Sequence, residues 1–242
     1  MRRIFLLSSF FLLFSCCLFA QSLRYEPQAQ IALIRHKYYS LDFDTLHRQA
    51  RWVYYMLTYD HVNGKAKRAD NFRPDPLAPK CPTLFDYKGS GYDRGHLCPA
   101  ADMKISDKAM SETFYLSNMS PQTPAFNRGA WAKLEALVRS YIRDSSDTLY
   151  VVTGPVFLGA TENIGKNKIT VPPFYYKAIY SPKRGMMAFL MPNRKIDEPL
   201  SAWGVSVDLI EALTGIDFFP LLPSEVQDKL ESKVNMWPQD SL

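Results

Sequence analysis

The chain has 242 residues, of which 47% are hydrophobic, 14% aromatic and 22% charged, with a formal net charge of +5. That apolar share can bury a core and is too high for a disordered chain. Its 17 prolines and 11 glycines follow no collagen-like period, and no internal repeat or sustained heptad pattern is present, so fibrous, solenoid and coiled-coil classes are excluded.

Arg2 and Arg3 precede an uncharged, mostly apolar run from Ile4 to Phe14, and Ala20 precedes Gln21. A basic start, a short apolar centre and a small residue before a polar one form the pattern of an export signal. The run is shorter than a membrane span requires. Two ends compete: cleavage after Ala20, and lipid attachment at Cys16 within Leu13-Phe14-Ser15-Cys16. The bulky Phe14 favours cleavage, so a secreted, periplasmic or cell-surface protein is expected. Loss of residues 1–20 removes two positive charges and takes +5 to +3. From His61 to Lys104 the chain carries eight Lys or Arg and five Asp, which accounts for that whole excess. A local positive excess suits a polyanionic partner, although an ordinary solvated face gives the same count.

Aromatic and β-branched residues in partial alternation predict strands over residues 37–43 and 51–58. Asn63-Gly64 marks a turn, and residues 72–82 form a proline-rich loop. Ser106 is the expected N-cap of a short helix reaching Phe114. The strongest helical pattern covers residues 127–143. Residues 148–153 predict a buried strand ending at Gly154-Pro155, and residues 174–180 and 186–191 a hairpin about a turn at 181–185. Residues 206–214 and 224–234 read as amphipathic helices. Strands and helices mix without regular alternation and no linker divides the chain. The expected fold is a single α+β domain over residues 21–242, a central, mainly antiparallel sheet flanked by helices.

Serine-elbow, His-Glu-x-x-His, paired-cysteine zinc and phosphate-loop signatures are all missing. Two polar clusters remain. The first is Gly91-Tyr92-Asp93-Arg94-Gly95-His96-Leu97-Cys98-Pro99, where a histidine beside an arginine could take a proton near an anionic substrate. Alone it could equally be a surface turn. The second is Asn118-Met119-Ser120-Pro121-Gln122, followed by Asn127, Trp131, Glu135 and Arg139. Spaced four apart, these last four residues form one slowly drifting row on a continuous helix, about 18 Å long at ~1.5 Å per residue. A solvated face with a Glu135–Arg139 pair would look the same.

Taken together, the clusters resemble the DNA/RNA non-specific endonucleases, the ββα-metal (His-Me finger) nucleases to which mitochondrial endonuclease G belongs. The resemblance rests on Asp93-Arg94-Gly95-His96, Ser117-Asn118-Met119-Ser120-Pro121-Gln122, Asn127 and Trp131-Ala132-Lys133-Leu134-Glu135. It extends back to Arg68-Ala69-Asp70-Asn71-Phe72-Arg73-Pro74-Asp75 and forward to Val152-Thr153-Gly154-Pro155, in matching order across roughly Tyr38 to Leu213. It implies a ββα-metal motif in a metal-dependent endonuclease that cuts DNA and RNA with little sequence preference. His96 would be the general base. Asn127 would be the one direct protein ligand of Mg²⁺, with Mn²⁺ able to substitute, and Glu135 and Asp93 would act through metal-bound waters. Arg68, Arg94 and Arg139 would bind phosphate oxygens, Asn118 and Gln122 would order the turn beside His96, with Gln122 also near substrate, and Trp131 would pack the metal helix. The rival readings are an exported nucleic-acid or polyanion-binding protein without activity and a phosphodiesterase acting on a small substrate. A lipid anchor at Cys16 and a homodimer are left open.

Once residues 1–20 are cleaved, Cys81 and Cys98 are the remaining cysteines, an even pair in an exported chain. A bond between them would close a loop of about 17 residues, worth ~3 kcal/mol in the chain-entropy model. A disulfide holding the His96 strand is therefore expected.

Overall fold

The computed structural model describes residues 25–143, 145 and 147–237. The export-signal pattern and Cys16 lie outside them. In chain order the strands are β1 (Leu33–Arg35), β2 (Tyr39–Asp44), β3 (Gln49–Leu57), β4 (Asp93–His96), β5 (Met119–Gln122), β6 (Leu149–Val156), β7 (Asn163–Ile164), β8 (Ile169–Thr170), β9 (Phe174–Ser181), β10 (Gly185–Pro192) and β11 (Gly204–Val205). The α-helices are α1 (Tyr59–Asn63), α2 (Leu84–Tyr87), α3 (Asp107–Glu112), α4 (Ala132–Arg143), α5 (Val207–Thr214) and α6 (Ser224–Glu231). None of the described helices is long and apolar enough to cross a membrane.

A seven-stranded sheet in the order β1-β2-β3-β6-β9-β10-β11 forms the centre, every pair antiparallel. Side chains alternate across a strand, and here both faces are covered. On β9, Tyr175 and Ile179 enter the core beneath α4, whereas Tyr176, Ala178 and Tyr180 enter a second core on the other face. Neighbouring strands keep the same phase. Val53, Tyr55 and Leu57 join the first core, and Trp52 and Tyr54 the second. Burial on both faces explains why these strands read as nearly continuous apolar runs with only partial alternation. Trp131, Leu134, Val138 and Ile142 cover the first face, and Val207, Ile210, Phe218 and Phe219 the second. The fold is thus α+β, with a large antiparallel sheet between two helical layers.

Several boundaries differ from the sequence expectation for identifiable reasons. β1 is an added three-residue edge strand whose alternate side chains are exposed, too short to show periodicity. β6 continues through Gly154-Pro155 to Val156. Its ladder with β3 ends at Val53↔Thr153, so Pro155 faces only β9 and the proline is tolerated there. The helix expected at residues 224–234 stops at Glu231. Ser106 does cap α3, its hydroxyl accepting the Ala109 N–H at 3.1 Å.

The largest departure is in residues 127–143, which do not form one regular helix. Phe126–Trp131 is a π-helical turn with Gly129 at φ −102° and ψ −108°, and regular α-helix begins only at Ala132. The kink destroys the single polar row expected from Asn127 to Arg139. Trp131 turns fully into the core, while Asn127 meets β4.

The expected disulfide is also corrected, since Cys81 and Cys98 are both free thiols. Cys98 is fully buried in the first core, and the Cys81 sulfur accepts the Asp75 N–H at 3.3 Å. Burial pushes both thiols above their ordinary pKa, so neither is poised as a thiolate. Two titratable thiols are therefore expected when unreduced protein is denatured and assayed with a thiol reagent. Finding none would restore the disulfide.

Candidate active site

β4 and β5 form a separate two-stranded ribbon with Gly95 opposite Ser120 and His96 opposite Met119. The chain then runs through the π-turn into α4, so two strands and a helix meet at one place. Gly95 is dictated by crowding, because a Cβ there would lie 2.2 Å from the Gln122 carbonyl. Gln122 is itself fully buried and cannot easily swing aside. Gly95→Ala is expected to lower stability by about 1–3 kcal/mol by overpacking. Adding Gln122→Ala should recover most of that loss in a denaturant titration, and failure to recover would exclude the clash.

His96 ends β4. Its ring lies edge-on to Phe114 at 5.0 Å and to Phe72 at 5.7 Å, and its Nε2 is buried without a hydrogen-bond partner. Each phenylalanine carries an arginine on its face. Arg68 sits 4.9 Å from the Phe114 centroid and Arg94 4.1 Å from that of Phe72. Burial, reinforced by the Arg68 and Arg94 charges, lowers the His96 pKa to about 3. The imidazole is therefore neutral at neutral pH, and its unpartnered Nε2 is a free ring position at the site. Trp131 packs in the core, as expected, and its indole N–H donates to the His96 carbonyl at 3.3 Å.

Asn127 projects from the π-turn toward β4, its Nδ2 donating to Asp93 Oδ2 at 2.9 Å. Arg128 grips both oxygens of the same carboxylate at 2.8 and 2.7 Å. Partial burial would raise the Asp93 pKa, but the hydrogen bonds from Arg128 and Asn127 outweigh it and hold the group ionised. A carboxylate accepts only, so it must face the amide nitrogen, which directs the Asn127 carbonyl oxygen away from Asp93. A fixed, neutral oxygen donor beside the Asp93 carboxylate suits a hard cation that keeps most of its water. The residues present thus fit a hydrated divalent ion at Asn127.

An open cleft of about 620 Å³ lies alongside, lined by Arg68, Phe72, Leu84, Tyr87, Lys88, Tyr92, Asp93, Arg94, Asn127 and Arg128. Three of its four cations come from the basic segment between His61 and Lys104, so the fold concentrates that excess into one groove. Arg68 pairs with Asp70 at 2.7 Å, but both side chains are more than half exposed. A pair so exposed is worth little and yields readily to a phosphate.

The remaining expected residues lie deeper, and two expectations are corrected. Arg139 is only 12% exposed and is bound to Asp102 at 2.8 Å, with Glu135 at 3.9 Å. Tyr55 donates to the other Asp102 oxygen at 3.0 Å. The Arg139 guanidinium is thus held by protein carboxylates rather than presented to substrate. Gln122 lies beneath Gly95 with both amide atoms unpartnered, out of reach of substrate. Asn118 is buried and clamps the strand end, accepting from Cys98 N at 2.8 Å and donating to the Cys98 and Thr113 carbonyls at 2.9 and 2.8 Å.

Sequence reasoning missed Lys177. It points from β9 into the first core, fully buried, with its Nζ unpartnered 4.9 Å from the Trp131 ring. Burial lowers its pKa, while Glu135 and Asp102 oppose that shift. The same environment raises Glu135, burial acting first and Lys177 pulling against it. The signal was a lone lysine in the otherwise apolar Phe174-Tyr175-Tyr176-Lys177-Ala178-Ile179-Tyr180. Arg128 and Asp102 carried no comparable signal.

Residues 21–225 match the family model described as DNA/RNA non-specific endonuclease. The chain is 39% identical over 201 residues to human mitochondrial endonuclease G, covering 75% of this chain and 67% of that protein. It is 37% identical to nuclease C1 of Cunninghamella echinulata var. echinulata over 81% of this chain and 86% of that one. A nuclease of Nostoc sp. is 36% identical, with 81% and 76% covered. Among solved structures, that of an EndoG/EndoGI complex, concerned with EndoG inhibition, superposes with a TM-score of 0.78 at 34% identity. It covers 86% of this chain and 93% of that one.

Proposed function

The chain belongs to the DNA/RNA non-specific endonuclease family, and from that premise we propose an exported, Mg²⁺-dependent enzyme that cuts both DNA and RNA. Phosphodiester hydrolysis follows from the family. The finer reading rests on one observation above all, the Asn127 amide held by Asp93 so that its oxygen is presented at a cleft lined by Arg68, Lys88 and Arg94.

Each residue has a task that its surroundings support. Arg68 and Arg94 bind phosphate oxygens in the cleft, and the guanidinium fork suits two such oxygens at once. His96, neutral because it is buried beside two arginines, takes the proton from the attacking water. Asn127 would hold the divalent ion, which when bound would stabilise charge on the phosphate and the leaving oxygen. Asp93 fixes the Asn127 amide and is braced by Arg128, and Asp93 would also reach the ion through its water shell. Glu135 would do the same from α4, with Arg139 and Lys177 keeping its charge balanced. Asn118 keeps the end of β4 in place through Cys98. Phosphate contacts carry no base information, which supports weak sequence preference. Export is supported by the Arg2-Arg3 pair, the apolar run from Ile4 to Phe14 and the small Ala20 before Gln21.

Plasmid DNA, single-stranded DNA and RNA digested side by side test the reading. All three should be cut with Mg²⁺ or Mn²⁺, and an excess of chelator should stop cleavage until metal is restored. Full cleavage in chelator would overturn the metal assignment, and intact RNA would restrict the enzyme to DNA.

A further inference from the structure

A second group of oxygen ligands lies on the far side of the sheet from the cleft. α5 and α6 cover the second core, Val207 and Ile210 from α5 packing with Val226 and Leu230 from α6 around Phe218 and Phe219. At their junction Asp208, Glu211 and Glu231 bring carboxylate oxygens within 4.8 Å of one another. Proximity of acids alone would mean little. Glu231, however, is only 5% exposed, and its Oε1 is buried with no hydrogen-bond partner. A carboxylate withdrawn from water without a donor is costly, and nearby acids add to that cost. Glu211 is fixed at the junction because its Oε1 accepts the Phe218 N–H at 2.7 Å. Asp208 is exposed and keeps one side open to water.

We propose that Asp208, Glu211 and Glu231 form a Ca²⁺ site that ties α5 to α6. Oxygens bound at ~2.3–2.6 Å around one Ca²⁺ lie up to about 5 Å apart, the spread of these three carboxylates. An all-oxygen set suits a hard cation, and Ca²⁺ accepts irregular geometry and a water-completed shell. Mg²⁺ demands a near-ideal octahedron, which three carboxylates on two separate helices do not offer. The ion supplies the partner that the buried Glu231 oxygen lacks. Because the site lies on the opposite face of the sheet, its role is structural and independent of the ion at Asn127.

Thermal unfolding of chelator-treated, extensively dialysed protein tests this while Ca²⁺ is titrated at constant ionic strength. The Tm should climb with Ca²⁺, by about 5–10 °C at a hundred-fold excess over Kd for a chain of this size. Asn127→Ala should keep that rise. Glu231→Gln, which retains shape and removes charge, should abolish it without lowering the metal-free Tm. Asp208→Asn, at an exposed position that cannot prevent folding, should weaken it. A wild-type Tm that ignores Ca²⁺, or a Glu231→Gln protein that responds like wild type, would overturn the site. An equal response to Mg²⁺ would overturn its assignment to Ca²⁺.

Discussion

His96→Ala is expected to reduce kcat by about 10²–10⁴-fold, the usual value of a positioned general base. The ring lies beside two arginines and makes no ring hydrogen bond that the fold depends on. Its truncation leaves space between Phe72 and Phe114, which costs some stability but leaves the cationic groove in place. Substrate binding, measured by filter retention in chelator, should therefore stay within a few-fold of wild type while turnover collapses. The protonation state offers an independent check. Burial together with Arg68 and Arg94 lowers the pKa to about 3, so the free protein holds this imidazole neutral down to pH values where an ordinary histidine is charged. A lowered pKa also means that the unfolded chain binds the proton more tightly than the folded one. On this account stability contributed by neutral His96 is complete above pH 6.5 and declines as pH falls below it. NMR titration of the His96 ring, assigned by its absence in His96→Ala, should show no midpoint near 6.5. A midpoint there, or turnover of His96→Ala within a few-fold of wild type, would place the base elsewhere.

Much of this arrangement was legible in the chain because local chemistry and global fold agree. Ser106 caps the short helix that follows it, and the turn at residues 181–185 is short enough to pair the two apolar strands it joins. The polar clusters on β4 and β5 were legible as chemistry, since Asp93, His96 and Asn118 sit in otherwise apolar or glycine-rich surroundings. What escaped depends on long-range packing. Gly129 is tolerated in an ordinary helix pattern, and only the structure shows that it breaks the row from Asn127 to Arg139. Arg139 and Glu135 looked like one exposed pair, but Asp102, 37 residues away in sequence, claims the arginine. The cysteine arithmetic failed because an even count says nothing about burial, and Cys98 faces the core. Lys177 was hidden by the strand period, which decides its face only once the sheet has a second layer.

The Asn127–Asp93–Arg128 arrangement leads to the other large effect. Asn127→Ala removes the one side-chain oxygen that Asp93 directs away from itself, and activity at millimolar Mg²⁺ should fall by at least about 10²-fold. Asp93→Ala removes no ligand in this scheme but frees the Asn127 amide to rotate. Loss of such an orienting partner typically costs ~10–100-fold in metal affinity or activity. The two variants should therefore differ in kind. Raising Mg²⁺ should recover much of the Asp93→Ala activity, because the oxygen donor is still present. It should recover little for Asn127→Ala, where the donor itself is gone. Arg128→Ala provides the control. Its side chain is 73% exposed, so a surface pair contributes little stability, and Asp93 still accepts from Asn127. Its activity should stay within a few-fold of wild type, with the metal midpoint shifted less than for Asp93→Ala. If Asp93→Ala resisted rescue by metal as completely as Asn127→Ala, Asp93 would be a direct ligand of the cation or act on substrate, not an orienting residue. If Asn127→Ala were rescued as readily as Asp93→Ala, the cation would have a different protein ligand.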